Sequence, residues 1–111
     1  MIFDKQGTIT IITQESVSIQ TFIERFDKAY SKIKEDNIII NLFSLDDDIT
    51  LDNVLEFYQI SNNHKNNNKS FVIVTDSVSY DDLPDDLVIV PTFQEALDII
   101  EMDEIERDLG I

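Results

Sequence analysis

The run Ile38-Ile39-Ile40-Asn41-Leu42-Phe43 constrains this chain more than any other stretch. It is almost continuously apolar and rich in β-branched side chains, which suits a strand covered on both faces rather than one with a face in water. The run ends at Ser44-Leu45-Asp46-Asp47-Asp48, where like charges favour a solvated loop. Apolar residues then return at Leu51, Val54, Leu55 and Tyr58, at helical spacing. Strand, acidic turn and helix is the arrangement in which α/β proteins place sites, at the carboxyl ends of strands. Pattern alone therefore gives a small acidic α/β domain and no activity.

Around this centre the other elements follow in order. Residues 1–5 and 8–14 read as two strands joined across Gln6-Gly7. Ile19, Phe22, Ile23, Phe26, Ala29, Tyr30 and Ile33 mark the clearest amphipathic helix, with Ser18 as its N-cap and a stop at Asp36-Asn37. Its outer face holds Arg25, Lys28, Lys32 and Lys34, which reads first as a solvated face. The asparagine-rich residues 61–69 read as a loop, with His64 exposed within it. Residues 70–75 and 87–90 are two further strands of the buried type. Between them residues 76–86 have room for a short helical turn. Thr92-Phe93-Gln94-Glu95 has the pattern of a capping box and opens a terminal helix.

Length and composition limit the rest. The 111 residues make one domain, 1–111, large enough for a single core. No apolar run approaches the roughly 20 residues needed to span a bilayer, and the N-terminus lacks a secretory pattern; a cytoplasmic protein without membrane contact is expected. There is no cysteine, hence no disulfide and no thiolate nucleophile. The formal charge is −15, unevenly spread: residues 1–69 hold 11 acids and 7 bases, residues 70–111 hold 12 acids and Arg107 alone. That balance disfavours direct nucleic-acid binding, which needs bases to displace counterions from phosphate, and favours a partner with a basic surface.

Most familiar chemistries lack their residues. The only glycines are Gly7 and Gly110, so a phosphate-cradling loop is missing. One histidine cannot build a metal cluster. The remaining candidate is Asp46, Asp47, Asp48 and Asp76, which follow strands and could hold Mg²⁺ in an aspartate-based phosphoacceptor, although Pro91 stands where a receiver domain carries a lysine. The expectation is no catalytic residue, no cofactor and no metal.

The order β-β-α-β-α-β-(short α)-β-α resembles the STAS domain of bacterial anti-sigma-factor antagonists. The resemblance implies an α/β fold with a mixed β-sheet of four to five strands and about four helices, and a non-catalytic regulatory module that binds another protein. Such antagonists carry an Asp-Ser-Ser-Gly type motif before the second helix, phosphorylated by a partner kinase. The matching turn is Asp48-Ile49-Thr50-Leu51, where Ile49 replaces the phosphoacceptor and Leu51 the glycine. Asp48 keeps the acid and Thr50 a hydroxyl, and Thr50 reads first as the N-cap of the helix, with phosphorylation as the alternative. The C-terminal half, from Val90-Pro91-Thr92-Phe93 through Asp108-Leu109-Gly110, is similar to short bacterial proteins often labelled ribonuclease Z. Zinc-dependent catalysis of that kind needs a histidine cluster, so this similarity implies at most an accessory role in tRNA processing.

The terminal helix does not form one stripe. At about 100° per residue, Phe93, Ala96, Leu97 and Ile100 share one side, while Ile99, Met102, Ile105 and Leu109 fall nearly opposite. Either the helix breaks near Met102-Asp103, with Asp103 as a new N-cap, or it continues and offers the second stripe to a partner or a second copy of the chain. The continuous helix is preferred, because an apolar stripe flanked by Glu101, Glu104, Glu106 and Asp108 suits helix-in-groove recognition of a basic partner.

Overall fold

The computed structural model describes residues 2–13, 18–42, 51–76, 83–84 and 86–110. It is an α/β fold built on one mixed five-stranded sheet, in the order β1-β2-β3-β4-β5. Strands β1 (Ile2–Gln6) and β2 (Ile9–Thr13) form an antiparallel hairpin. Its two-residue turn places Gly7 at φ +61°, a left-handed setting in which a residue with a Cβ is strained. From β2 onward the strands are parallel: β3 (Asn37–Asn41) pairs with β2 and β4 (Phe71–Val74), and β4 pairs with β5 (Ile89–Val90). Of the run expected to be covered on both faces, Ile38, Ile39, Ile40 and Leu42 are buried, and Phe43 lies outside the described residues.

Alternation along the strands divides the core in two. Ile12, Ile38, Ile40, Phe71 and Ile73 meet α1 (Ile19–Ile33), α2 (Leu51–Leu55) and α3 (Tyr58–Asn66) on one face. Ile11, Ile39, Val72, Val74 and Val90 meet α4 (Phe93–Asp108) on the other. Helix α1 docks through Phe22 and Phe26, both buried, with Phe26 edge-on to Phe71 at 6.1 Å between centroids. Ser18 caps it by accepting from the Thr21 amide at 3.2 Å, and Thr92 does the same for α4 from the Glu95 amide.

Two expectations need correction. The helix after the acidic turn is not one piece followed by a loop: α2 ends at Leu55, a turn intervenes, and α3 runs through the asparagine-rich segment to Asn66. The buried positions Val54, Phe57, Ser61 and His64 keep helical spacing across both, so polar residue types conceal a continuous inner face. Asn68, at φ +64°, then closes the helix in the left-handed setting that asparagine tolerates. The strand read at residues 87–90 pairs only at Ile89–Val90. The short helical turn expected at residues 76–86 lies largely outside the described residues.

Candidate functional site

Helix α4 is continuous from Phe93 to Asp108, so the break at Asp103 does not occur. It starts beyond the carboxyl end of β5 and runs back across β3, β4 and β5. Its first turns follow ordinary amphipathic logic: Ala96 and Ile100 are buried, while Phe93, Leu97 and Ile99 pack partly buried against the same core. Ile99 is thereby removed from the outward stripe to which the sequence assigned it.

In the last turns the helix inverts. The face that buries Ala96 and Ile100 continues as Asp103, Glu104 and Arg107, and these meet a polar junction at the amino end of the parallel strands. Ser70 donates through Oγ to Asp103 Oδ2 at 2.7 Å, and Thr8 Oγ1 and Asn37 Nδ2 donate to Glu104 Oε1 at 2.6 and 2.9 Å. The Arg107 guanidinium donates to the Asn68 carbonyl (2.8 Å), Ser70 Oγ (3.0 Å) and Asn37 Oδ1 (3.3 Å). Asn37, itself buried, also accepts from the Ser70 amide at 2.8 Å. Every polar group at this junction finds a partner, as burial requires. The lone base among the acids of the C-terminal half is thus an internal anchor, and clefts of about 340 and 260 Å³ flank it.

With polar residues turned inward, large apolar ones are left outside. Met102 is 60% exposed, Ile105 52% and Leu109 67%. Around them stand the exposed acids Glu95, Asp98, Glu101, Glu106 and Asp108, and α4 presents no outward base, because Arg107 is engaged inside. The stripe is therefore an apolar strip in an anionic field.

Of the sequence-nominated turn, Asp48, Ile49 and Thr50 lie outside the described residues, as do Asp46 and Asp47; Leu51 is the first residue of α2. Asp76 is exposed just after β4. Among the described residues no group of acids and histidine is placed to hold a metal ion, and no helix is long and apolar enough to cross a membrane.

His64 corrects another expectation. It is fully buried on α3, with Nδ1 2.6 Å from the Tyr30 hydroxyl and Nε2 2.8 Å from the Asp36 carbonyl. The same Asp36 accepts from Thr10 Oγ1 at 2.8 Å and pairs with Lys5 at 3.4 Å, so it ties the end of α1 to β2 and to β1. Nearby, Lys65 donates to the Asp86 carbonyl, and burial lowers its pKa.

Sequence reasoning missed Thr8, Asn37, Ser70 and Arg107 as a unit. One signal was available: Asp103 and Arg107 occupy the positions that extend the Ala96–Ile100 face by three and seven residues. No protein-family model and no curated protein matches the chain.

Proposed function

We propose that this chain is a non-catalytic, cytoplasmic protein-interaction module, similar in element order to anti-sigma-factor antagonists, that binds a basic protein partner through the outward side of α4. The observation that carries this reading is the inversion of α4: three large apolar side chains stand in solvent because Asp103, Glu104 and Arg107 occupy the face toward the sheet. Exposed apolar clusters rimmed by charge are a mark of interaction sites. Acids on both sides of the stripe select a basic partner and disfavour an isologous dimer, in which equal acids would face one another.

The test leaves the anchor intact. Truncation after Glu101 would remove Arg107 as well as the stripe, so its effect on binding could not be separated from its effect on folding. The substitution Ile105→Lys, at a side chain 52% exposed, should keep the melting temperature and lose capture of a protein from the native cell whose binding segment is basic. Retention of the same proteins by wild type and variant overturns the assignment.

A further inference from the structure

The two faces of the sheet are unequally covered. Neighbouring strands lie about 4.8 Å apart, so five strands span roughly 19 Å, whereas packed helices are spaced by about 8–10 Å. Among the described residues one face carries α1, α2 and α3, and the other carries α4 alone, lying over β3, β4 and β5. Beside α4 no helix among the described residues covers the β1–β2 hairpin. Ile2 there is 49% exposed and Ile9 is half-buried. A groove of about 370 Å³ runs along this seam, with Ile9, Leu97 and Ile105 on its walls and Glu101 and Asp108 at its rim.

We infer that this groove, rather than the crest of α4 at Met102 and Leu109, seats the partner, and that the occupant is a basic amphipathic helix lying alongside α4 over the β1–β2 hairpin. This rests on the interaction-module reading and specifies its geometry. The occupant is helical because the vacant strip has the width of one helix. It is basic because the groove is lined by carboxylates and no base. Asp4 adds a further acid from β1, since it lies opposite Ile11 and so shares the α4 side of the sheet.

A second copy of the chain does not meet these requirements. Among the described residues the exposed large apolar side chains are Ile2, Phe3, Met102, Ile105 and Leu109, all on β1, on α4 or at its C-cap. The basic face of α1 offers none of them, and the α4 helix of a second copy carries the same acids.

A synthetic peptide of about 18 residues, with leucines at i, i+3, i+4 and i+7 and lysines elsewhere, serves as the probe against the full ¹⁵N-labelled chain. A scrambled leucine–lysine peptide and a leucine–glutamate peptide serve as controls. Saturable amide shifts should centre on Ile9, Leu97, Ile105 and Asp108 for the amphipathic basic peptide alone. Ile105→Lys should weaken binding about tenfold or more, Ile9→Thr several-fold, and Met102→Ser hardly at all. Shifts centred on Met102 and Leu109, with Met102→Ser weakening binding and Ile9→Thr silent, overturn the groove while leaving the module reading in place. Shifts confined to β1 and Phe3 overturn it in favour of strand addition at the sheet edge. Equal shifts with the scrambled peptide, or none, overturn the helical occupant, and the module reading then depends on the capture experiment alone.

Discussion

The Tyr30 hydroxyl donates to Nδ1 of His64 across 2.6 Å, and this bond fixes the state of the ring. On the other side Nε2 meets the Asp36 carbonyl, which can only accept, so the proton of the neutral imidazole sits on Nε2 and Nδ1 is free to accept from Tyr30. The ring also stands edge-on to Phe71, with centroids 6.2 Å apart. A charged imidazolium would place a second proton against the Tyr30 donor, in a site closed to water.

Burial accordingly holds the His64 pKa below its ordinary value of 6.5; the bond to the Asp36 backbone opposes this, and Lys69 and Arg107 add to the lowering. A depressed histidine pKa means that the unfolded chain binds the proton more tightly. Its contribution to stability is thus complete above about pH 6.5 and is lost as pH falls through the lower, folded value. His64→Gln keeps one donor and one acceptor but does not titrate. The melting-temperature advantage of wild type over this variant should be level from about pH 8 to 6.5 and shrink toward pH 5. A difference that stays level across the whole range would show that the ring titrates alike in both states.

Tyr30→Phe removes the donor and leaves Nδ1 buried without a partner. The expected loss is about 1–3 kcal/mol in denaturant unfolding, more than a surface tyrosine would show. A loss below about 0.5 kcal/mol would mean that Nδ1 has found another donor.

Phe26 is buried between Tyr30 and Phe71, so Phe26→Ala should cost on the order of 3–5 kcal/mol. Chemical denaturation measures it. A cost under about 1 kcal/mol would place the wrong face of α1 against the sheet.

Arg107→Ala takes one guanidinium from three acceptors, and Arg107→Lys cannot replace its fork. Both should speed amide exchange in the last two turns of α4 while exchange at Ala96 and Ile100 stays near wild type. The global loss for alanine should be about 1–3 kcal/mol. Uniform exchange along α4 in both variants would deny the anchor its role.

Gly7→Ala isolates a backbone effect, since an added Cβ meets nothing within 4 Å yet the residue sits at φ +61°. The variant should lose about 1–2 kcal/mol through strain alone. Gly7→Asn should recover much of this, because asparagine tolerates the left-handed region.

The parts of this fold legible in the sequence are those where residue type and environment agree. Ile38, Ile39 and Ile40 announce a buried strand, and Phe22 and Phe26 mark the inner face of α1, because apolar side chains at a regular period have one economical destination. The inner face of α2 and α3 was hidden where that agreement fails: His64 is buried because Tyr30 and the Asp36 carbonyl satisfy its ring, and Ser61 because it is small enough to fit, its hydroxyl finding no partner among the described residues, and periodicity of apolar residues registers neither. The same holds at Asp103 and Arg107. Their partners Asn37 and Ser70 are distant in sequence, and only the tertiary fold shows that polar groups wait beneath the last turns of α4. The outward placement of Met102, Ile105 and Leu109 was legible as a second stripe, but Ile99 was not separable from it, since the stripe angle alone does not reveal how far the core extends around the helix.

Each parallel strand in this sheet neighbours the one before it in sequence, so closing each strand pair requires only the intervening segment to be ordered. The hydrogen bond from Thr8 to Glu104 spans 96 residues and that from Asn37 to Glu104 spans 67. Loop-closure entropy rises with the length of chain enclosed, which places these contacts, with that of Arg107 to Asn37 across 70 residues, among the most demanding of the described structure. The rotational setting of α4 depends on them. A chain that has assembled its strands but not made these bonds lacks the correctly oriented surface of Ile105, so a partner that reads this surface also distinguishes finished molecules from unfinished ones.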